Sequence, residues 1–140
     1  MERSPSAVRA ARLSEGYLLA GRAEEASRVA SHALEVTRSH KERGNEARAL
    51  RLLGEIAAQA EPPEVERAEG YYHQALALAD ELGMRPLVAH CHRGLGTLYQ
   101  KSGREEAARA ELTTAVELYR AMEMTFWLGP AEAALAQVSG

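Results

Sequence analysis

The chain has 140 residues, 46% of them apolar and 26% charged, with a net charge of -3. That length fits one compact unit, and the composition supports a buried core and excludes a disordered chain. The net acidity excludes a dedicated nucleic-acid binder, which is normally strongly basic. The charge is uneven, with ten Lys/Arg against seven acids over residues 1–51 and seven against thirteen over 52–140.

Alanine, leucine, glutamate and arginine dominate, and these are strong helix formers; strand-favouring β-branched and aromatic residues are scarce. From the N-terminus, Met1-Glu2-Arg3-Ser4-Pro5 has no apolar signal core, and no later apolar run approaches the ~20 residues of a membrane span. Cys91 stands alone, so an intramolecular disulfide is excluded and a reducing cytosol is the expected compartment. The repeat pattern begins almost at once after Met1, the start expected of a segment of a longer array.

Three stretches then align: Leu13-Ser-Glu-Gly-Tyr17, Leu53-Gly-Glu-Ile-Ala57 and Leu95-Gly-Thr-Leu-Tyr99. Each is followed by an alanine (Ala26, Ala68, Ala108) and, seven residues later, by another (Ala33, Ala75, Ala115). The second alanines are 42 and 40 residues apart, and the difference falls in the Glu61-Pro62-Pro63-Glu64 turn. Apolar residues recur at i, i+3/i+4, i+7, the helical period. Breakers at Gly21, Gly44, Pro62-Pro63, Gly83, Pro86 and Gly103 separate the periodic runs. The spacing predicts seven helices, at about 5–19, 22–40, 45–59, 64–82, 86–101, 104–122 and 126–138. Gly54, Gly96, Ala26, Ala68 and Ala108 fall where the helices of a hairpin cross closely. Gly129-Pro130 sits awkwardly in the last helix, whose effective start is expected near Pro130.

The pattern Leu-Gly-x-x-Tyr, a turn glycine, then Ala-x6-Ala-Leu resembles the tetratricopeptide repeat, in a form with a longer period than the common ~34 residues. The resemblance implies an all-α fold, a right-handed superhelical array of antiparallel hairpins. Its units would span 5–40, 45–82 and 86–122, and the helix at 126–138 would cap the array by laying Phe126, Trp127 and Leu128 on the last hairpin. The pattern departs from the family at Ser14, in place of glycine, and at Ala57, in place of tyrosine. The stretches Arg51–Ile56, Tyr72–Ala79, Glu81–Pro86 and Met124–Leu128 are also similar to the C-terminal repeats of large bacterial regulators that join a nucleotide-cyclase-like domain to an AAA-type ATPase. That likeness implies a sensing or partner-docking role. No ATPase or cyclase motif is present, so neither activity carries over.

Chemistry has few candidates. On a helix, His90 and His92 point about 200° apart and cannot grip one metal ion together. Gly94-Leu95-Gly96 lies inside a helix and is no phosphate cradle. No nucleophile has a supporting base on a neighbouring column, so neither an enzyme nor a cofactor is expected. What remains is the concave wall formed by the first helix of each hairpin. Its rows are Val8, Ala11, Glu15 and Leu18; then Arg48, Arg51 and Glu55; then His90, Arg93, Thr97 and Lys101. Arg48, Arg51, Arg93 and Lys101 suit an acidic segment or terminal carboxylate of a protein or peptide partner. The contrasting expectation is that these arginines are solvated charges paired with Glu55 or Glu46. A second functional reading is homodimerisation through an apolar N-terminal end at Val8, Leu13 and Leu18. A small-molecule sensor using the concave pocket is a third. Neither nucleic acid nor membrane is an expected partner.

Overall fold

The computed structural model describes residues 5–139, with the side chains of 9, 10 and 12–138. Seven helices follow in order: α1 Pro5–Leu19, α2 Ala23–Ser39, α3 Arg43–Gln59, α4 Val65–Glu81, α5 Arg85–Lys101, α6 Glu105–Ala121 and α7 Thr125–Ser139. No strand occurs among the described residues. None of the N-cap residues Arg22, Glu42, Glu64, Met84 and Arg104 makes a side-chain cap hydrogen bond. First-turn carboxylates at Glu24, Glu25, Glu46, Glu66, Glu105 and Glu106 instead face the positive end of their helix dipoles.

The turns share one construction. Gly21, Lys41, Gly83, Gly103 and Glu123 all adopt positive φ. The next residue then donates its N–H back five positions, as in Arg22 to Tyr17, Glu42 to Thr37 and Met84 to Ala79. This closes the helix C-terminus and makes the same residue the N-cap of the following helix. The break expected at Gly44 is therefore at Lys41, and Gly44 lies inside α3. The α3–α4 turn keeps the junction but bridges seven positions, from Glu64 N to Ala57 O, which absorbs the two extra residues around Pro62-Pro63.

Each hairpin closes at a small residue. A Cβ on Gly96 would lie 2.5 Å from Leu112 Cγ, and one on Gly54 would lie 3.1 Å from Tyr72 Cδ1. Ser14 takes the corresponding place in the first hairpin, where its buried hydroxyl donates to Ala26 O at 2.6 Å. Between hairpins, Ala26, Ala30 and Leu34 pack with Leu50 and Leu53; further along, Ala68 and Tyr72 pack with Leu95, Leu98 and Leu112. Helices α1, α3, α5 and α7 touch in succession, whereas α2, α4 and α6 do not touch one another. The first helices thus form the crowded inner layer, and the array curves around them.

The last helix differs from expectation in two respects. It begins at Thr125 and carries Pro130 in its interior. Trp127 and Leu128 pack against Ala115, Val116 and Tyr119, and Trp127 N and Leu128 N both bond Met124 O, so the first turn holds ahead of the proline. Phe126, expected on the same hairpin, is 76% exposed. At the other end, Leu13 is 51% exposed while its repeat equivalents Leu53 and Leu95 are 2% and 0% exposed, because each of these lies under the preceding hairpin.

Gly96→Leu will overpack the α5–α6 crossing and cost about 1–3 kcal/mol in urea unfolding. Lys41→Gly will raise stability by about 0.5 kcal/mol in the same assay. Relief of ~1 kcal/mol of left-handed strain exceeds the added entropy of the unfolded chain.

Candidate functional site

The repeat period places one face of each inner helix on the same wall, where two cavities open. One, of about 380 Å³, lies between α1, α3 and α5 and is lined by Glu15, Arg48, Arg51, Met84, Leu87 and His90. The other, of about 340 Å³, lies between α3, α5 and α7 and takes in Glu55, Tyr72, Arg93, Thr97, Lys101 and Pro130. Arg48, Arg51, Glu55, His90, Arg93, Thr97 and Lys101 therefore all line the inner wall, but in two groups. In the first row, Glu15 reaches a cavity, Leu18 packs onto the core, and Val8 and Ala11 lie outside the described side chains.

Charge on the wall is only partly neutralised. Arg51 Nη1 donates to Glu55 Oε1 at 2.5 Å, a half-buried pair. Glu46 is taken by Arg38 at 3.2 Å. Arg48 meets only the side-chain amide oxygen of Asn45, at 3.3 Å. Among the described residues, Arg48, Arg93 and Lys101 have no carboxylate within ion-pair distance. Arg93 instead lies over the Trp127 ring, 4.8 Å from its centroid, which orients the guanidinium and keeps its charge.

His90 sits at the centre. Its Nδ1 shares a 2.6 Å hydrogen bond with the Tyr119 hydroxyl, and its ring packs edge-on against Trp127 at 4.8 Å. Burial, then the charges of Arg51 and Arg93, push its pKa down to about 4, so it is neutral at pH 7. His92 turns instead to α6, where Nδ1 meets Glu111 Oε2 at 2.6 Å. The two histidines are thus committed to different partners. Burial pushes the Cys91 thiol up to about 12, which leaves it an unreactive core residue.

Three residues that shape the wall escaped the sequence reading: Tyr72, which lines it from the outer layer, and Tyr119 and Trp127, which pack against His90 from behind. Only Gly94 signalled Tyr72, as a helix-interior glycine with no turn to make, which points to close approach by a neighbour.

Among known proteins, the tetratricopeptide repeat family model matches residues 64–121, from the start of α4 to the end of α6. The chain is similar over 99% of its length to the crystal structure of the apo form of RapI, with a TM-score of 0.85 and 20% identity. It is also similar over 99% of its length to BtubC (BKLC) from P. vanneervenii, with a TM-score of 0.71 and 19% identity. It spans 50% of the RapI chain and 65% of the BtubC chain. No curated protein matches the sequence. At these identities the likeness shows the fold, and with the family match it supports a tetratricopeptide domain: an all-α array of helical hairpins, a class that generally serves protein–protein interaction.

Because unfolded chain binds a proton at the ordinary 6.5 and the folded protein only near 4, stability conferred by neutral His90 is full above pH 6.5 and lost on descent toward pH 4. Glu69, held below its ordinary 4.5 chiefly by the Tyr99 hydrogen bond, contributes a loss only at still lower pH. Urea titrations at pH 7 and 5 will show a drop of about 1–2 kcal/mol, and His90→Asn will remove most of it.

Proposed function

We propose that residues 1–140 form a single tetratricopeptide domain whose inner wall docks an acidic segment of a protein partner. The observation that supports this reading is the trio Arg48, Arg93 and Lys101, cations without a carboxylate partner spread over two cavities of one wall. Elsewhere among the described residues Arg22, Arg38, Arg43, Arg104 and Arg120 are matched with glutamates while Arg28, Arg85 and Arg109 are not, so the trio is set apart by its grouping on the cavities of one wall. A carboxylate arriving on the wall gains full charge-assisted hydrogen bonds at these groups. At Arg51 it competes with Glu55. The domain acts as an interaction module in a larger bacterial signalling or regulatory protein in the cytoplasm, a setting supported by the sequence resemblance to cyclase–ATPase regulators. No catalytic role is assigned.

Exposed Leu13 favours a second reading, self-assembly through the N-terminal end. Leu13, Tyr17 and Val29 line an open, largely apolar cavity of about 480 Å³ between α1 and α2, beside Arg28 and His32. Leu18 is withdrawn from such a surface by its packing on the core.

Fluorescein-labelled hexaglutamate will bind the protein in anisotropy measurements, and the double reversal Arg51→Glu/Arg93→Glu will weaken it at least about 100-fold with the helical circular dichroism retained. Equal affinity of the variant removes the docking reading. Light scattering coupled to size exclusion separates the alternatives: a mass near 15.2 kDa at all concentrations favours docking, and a concentration-dependent dimer lost in Leu13→Glu favours assembly.

A further inference from the structure

Tyr72 belongs to α4 in the outer layer, yet it lines the inner cavity between α3, α5 and α7. Its ring passes between two glycines. A Cβ on Gly54 would lie 3.1–3.2 Å from its inner ring carbons, and a Cβ on Gly94 would lie 2.5 Å from Cε1 and 2.8 Å from the hydroxyl oxygen. Gly94 is therefore a window in α5, and the tip of the ring reaches the cavity through it.

The residue is 3% exposed, and no described residue hydrogen-bonds its hydroxyl. Burial first, then the negative charge of Glu55, raise its pKa, so the hydroxyl keeps its proton and can donate. The hydroxyl opens into the cavity and has no acceptor among the described residues, so it is left to donate to whatever occupies that space. Around it stand Arg93 and Lys101, neither with a carboxylate partner, and the Thr97 hydroxyl, which also makes no hydrogen bond to a described residue. Glu55 is the one acid on this cavity, and Arg51 holds it. Pro130 and Ala134 of α7 close the far side with apolar surface.

We infer that this cavity is a site for a single carboxylate of the docked partner, with Tyr72 donating to it from the floor and Arg93 and Lys101 supplying the countercharge. The inference rests on the acidic-segment reading and narrows it to one anchoring group. One carboxylate suits the site better than a doubly charged phosphate, because Glu55 on the same cavity repels the second charge. Tyr72 acts here as a specificity-determining residue. It supplies a directed donor, whereas the two cations supply attraction with little direction.

The test uses acetate as the probe, titrated at constant ionic strength against the isotopically labelled protein and followed by ¹H–¹⁵N NMR. Acetate will shift the Gly94 and Thr97 amide resonances saturably in the millimolar range. Tyr72→Phe, which keeps the ring and removes only the hydroxyl, will weaken that binding at least about 5-fold. Its unfolding midpoint will be unchanged or higher, because the lost group had no acceptor. Lys101→Met will weaken the binding as well. The absence of a saturable shift in the wild type, or the same acetate affinity in Tyr72→Phe, overturns the inference. Labelled hexaglutamate tells this failure from failure of the broader reading. Equal peptide binding by wild type and Tyr72→Phe leaves the acidic-segment reading standing and removes the Tyr72 site. Saturable acetate binding lost in Tyr72→Phe, with no hexaglutamate binding, keeps the carboxylate site and removes the extended acidic segment. Where both bind, the peptide with an amidated C-terminus identifies the source: lost affinity assigns the site to a terminal carboxylate, and retained affinity assigns it to a glutamate side chain.

Discussion

The Tyr72 ring, wedged between Gly54 of α3 and Gly94 of α5, is the contact on which the middle of the molecule depends. A tyrosine from the outer layer ties two inner helices to each other as well as to its own. The ring lies against both α3 and α5, and a methyl group on Gly94 would already collide with it. The same placement gives the inner cavity a polar floor. Packing and site are in this sense one feature: the residue that completes the core between the second and third hairpins also faces whatever enters from the concave side.

Electrostatics on the inner wall follow from how few acids the inner helices carry there. Away from the wall, Arg22, Arg38, Arg43, Arg104 and Arg120 meet glutamates, and such exposed pairs contribute at most about 1 kcal/mol each. On the wall, Arg51 has Glu55 four residues on, with the base N-terminal to the acid, the weaker orientation against the helix dipole. Arg93 is held by an aromatic face instead of an acid. Two consequences follow from one arrangement. The wall keeps a net positive field in a partly desolvated setting, where an incoming anion is less screened than at an open surface. His90, surrounded by the same charges and buried against Trp127 and Tyr119, is held neutral and works as a packing and hydrogen-bonding element.

The two ends of the array are chemically distinct. The N-terminal hairpin leaves Leu13 and an apolar groove open at a position that every later hairpin covers. The C-terminal helix lays half-buried Trp127 and Leu128 against α6 and turns Phe126 outward. Its interior proline is tolerated because tertiary contacts on the flanking turn exceed the loss of one backbone hydrogen bond.

Much of this architecture was legible in the sequence. The recurring Leu-x3-Tyr and Ala-x6-Ala patterns specify helices, their pairing and the small-residue crossings, because helical periodicity and steric size are local properties of the chain. The wall rows Arg48–Arg51–Glu55 and His90–Arg93–Thr97–Lys101 followed from the same period. Legibility ended where two or more helices had to be brought together. Lys41 and Glu123 take left-handed turns without glycine, because the packed helices on either side outweigh a ~1 kcal/mol local preference. Pro130 stays helical for a related reason. Tyr72 reads from sequence as one more apolar residue of an outer helix, and nothing local tells that its hydroxyl emerges on the opposite face of the layer. Which side chain passes through which gap, and which charges are left without a partner, depend on distances between helices, and only the tertiary structure decides those.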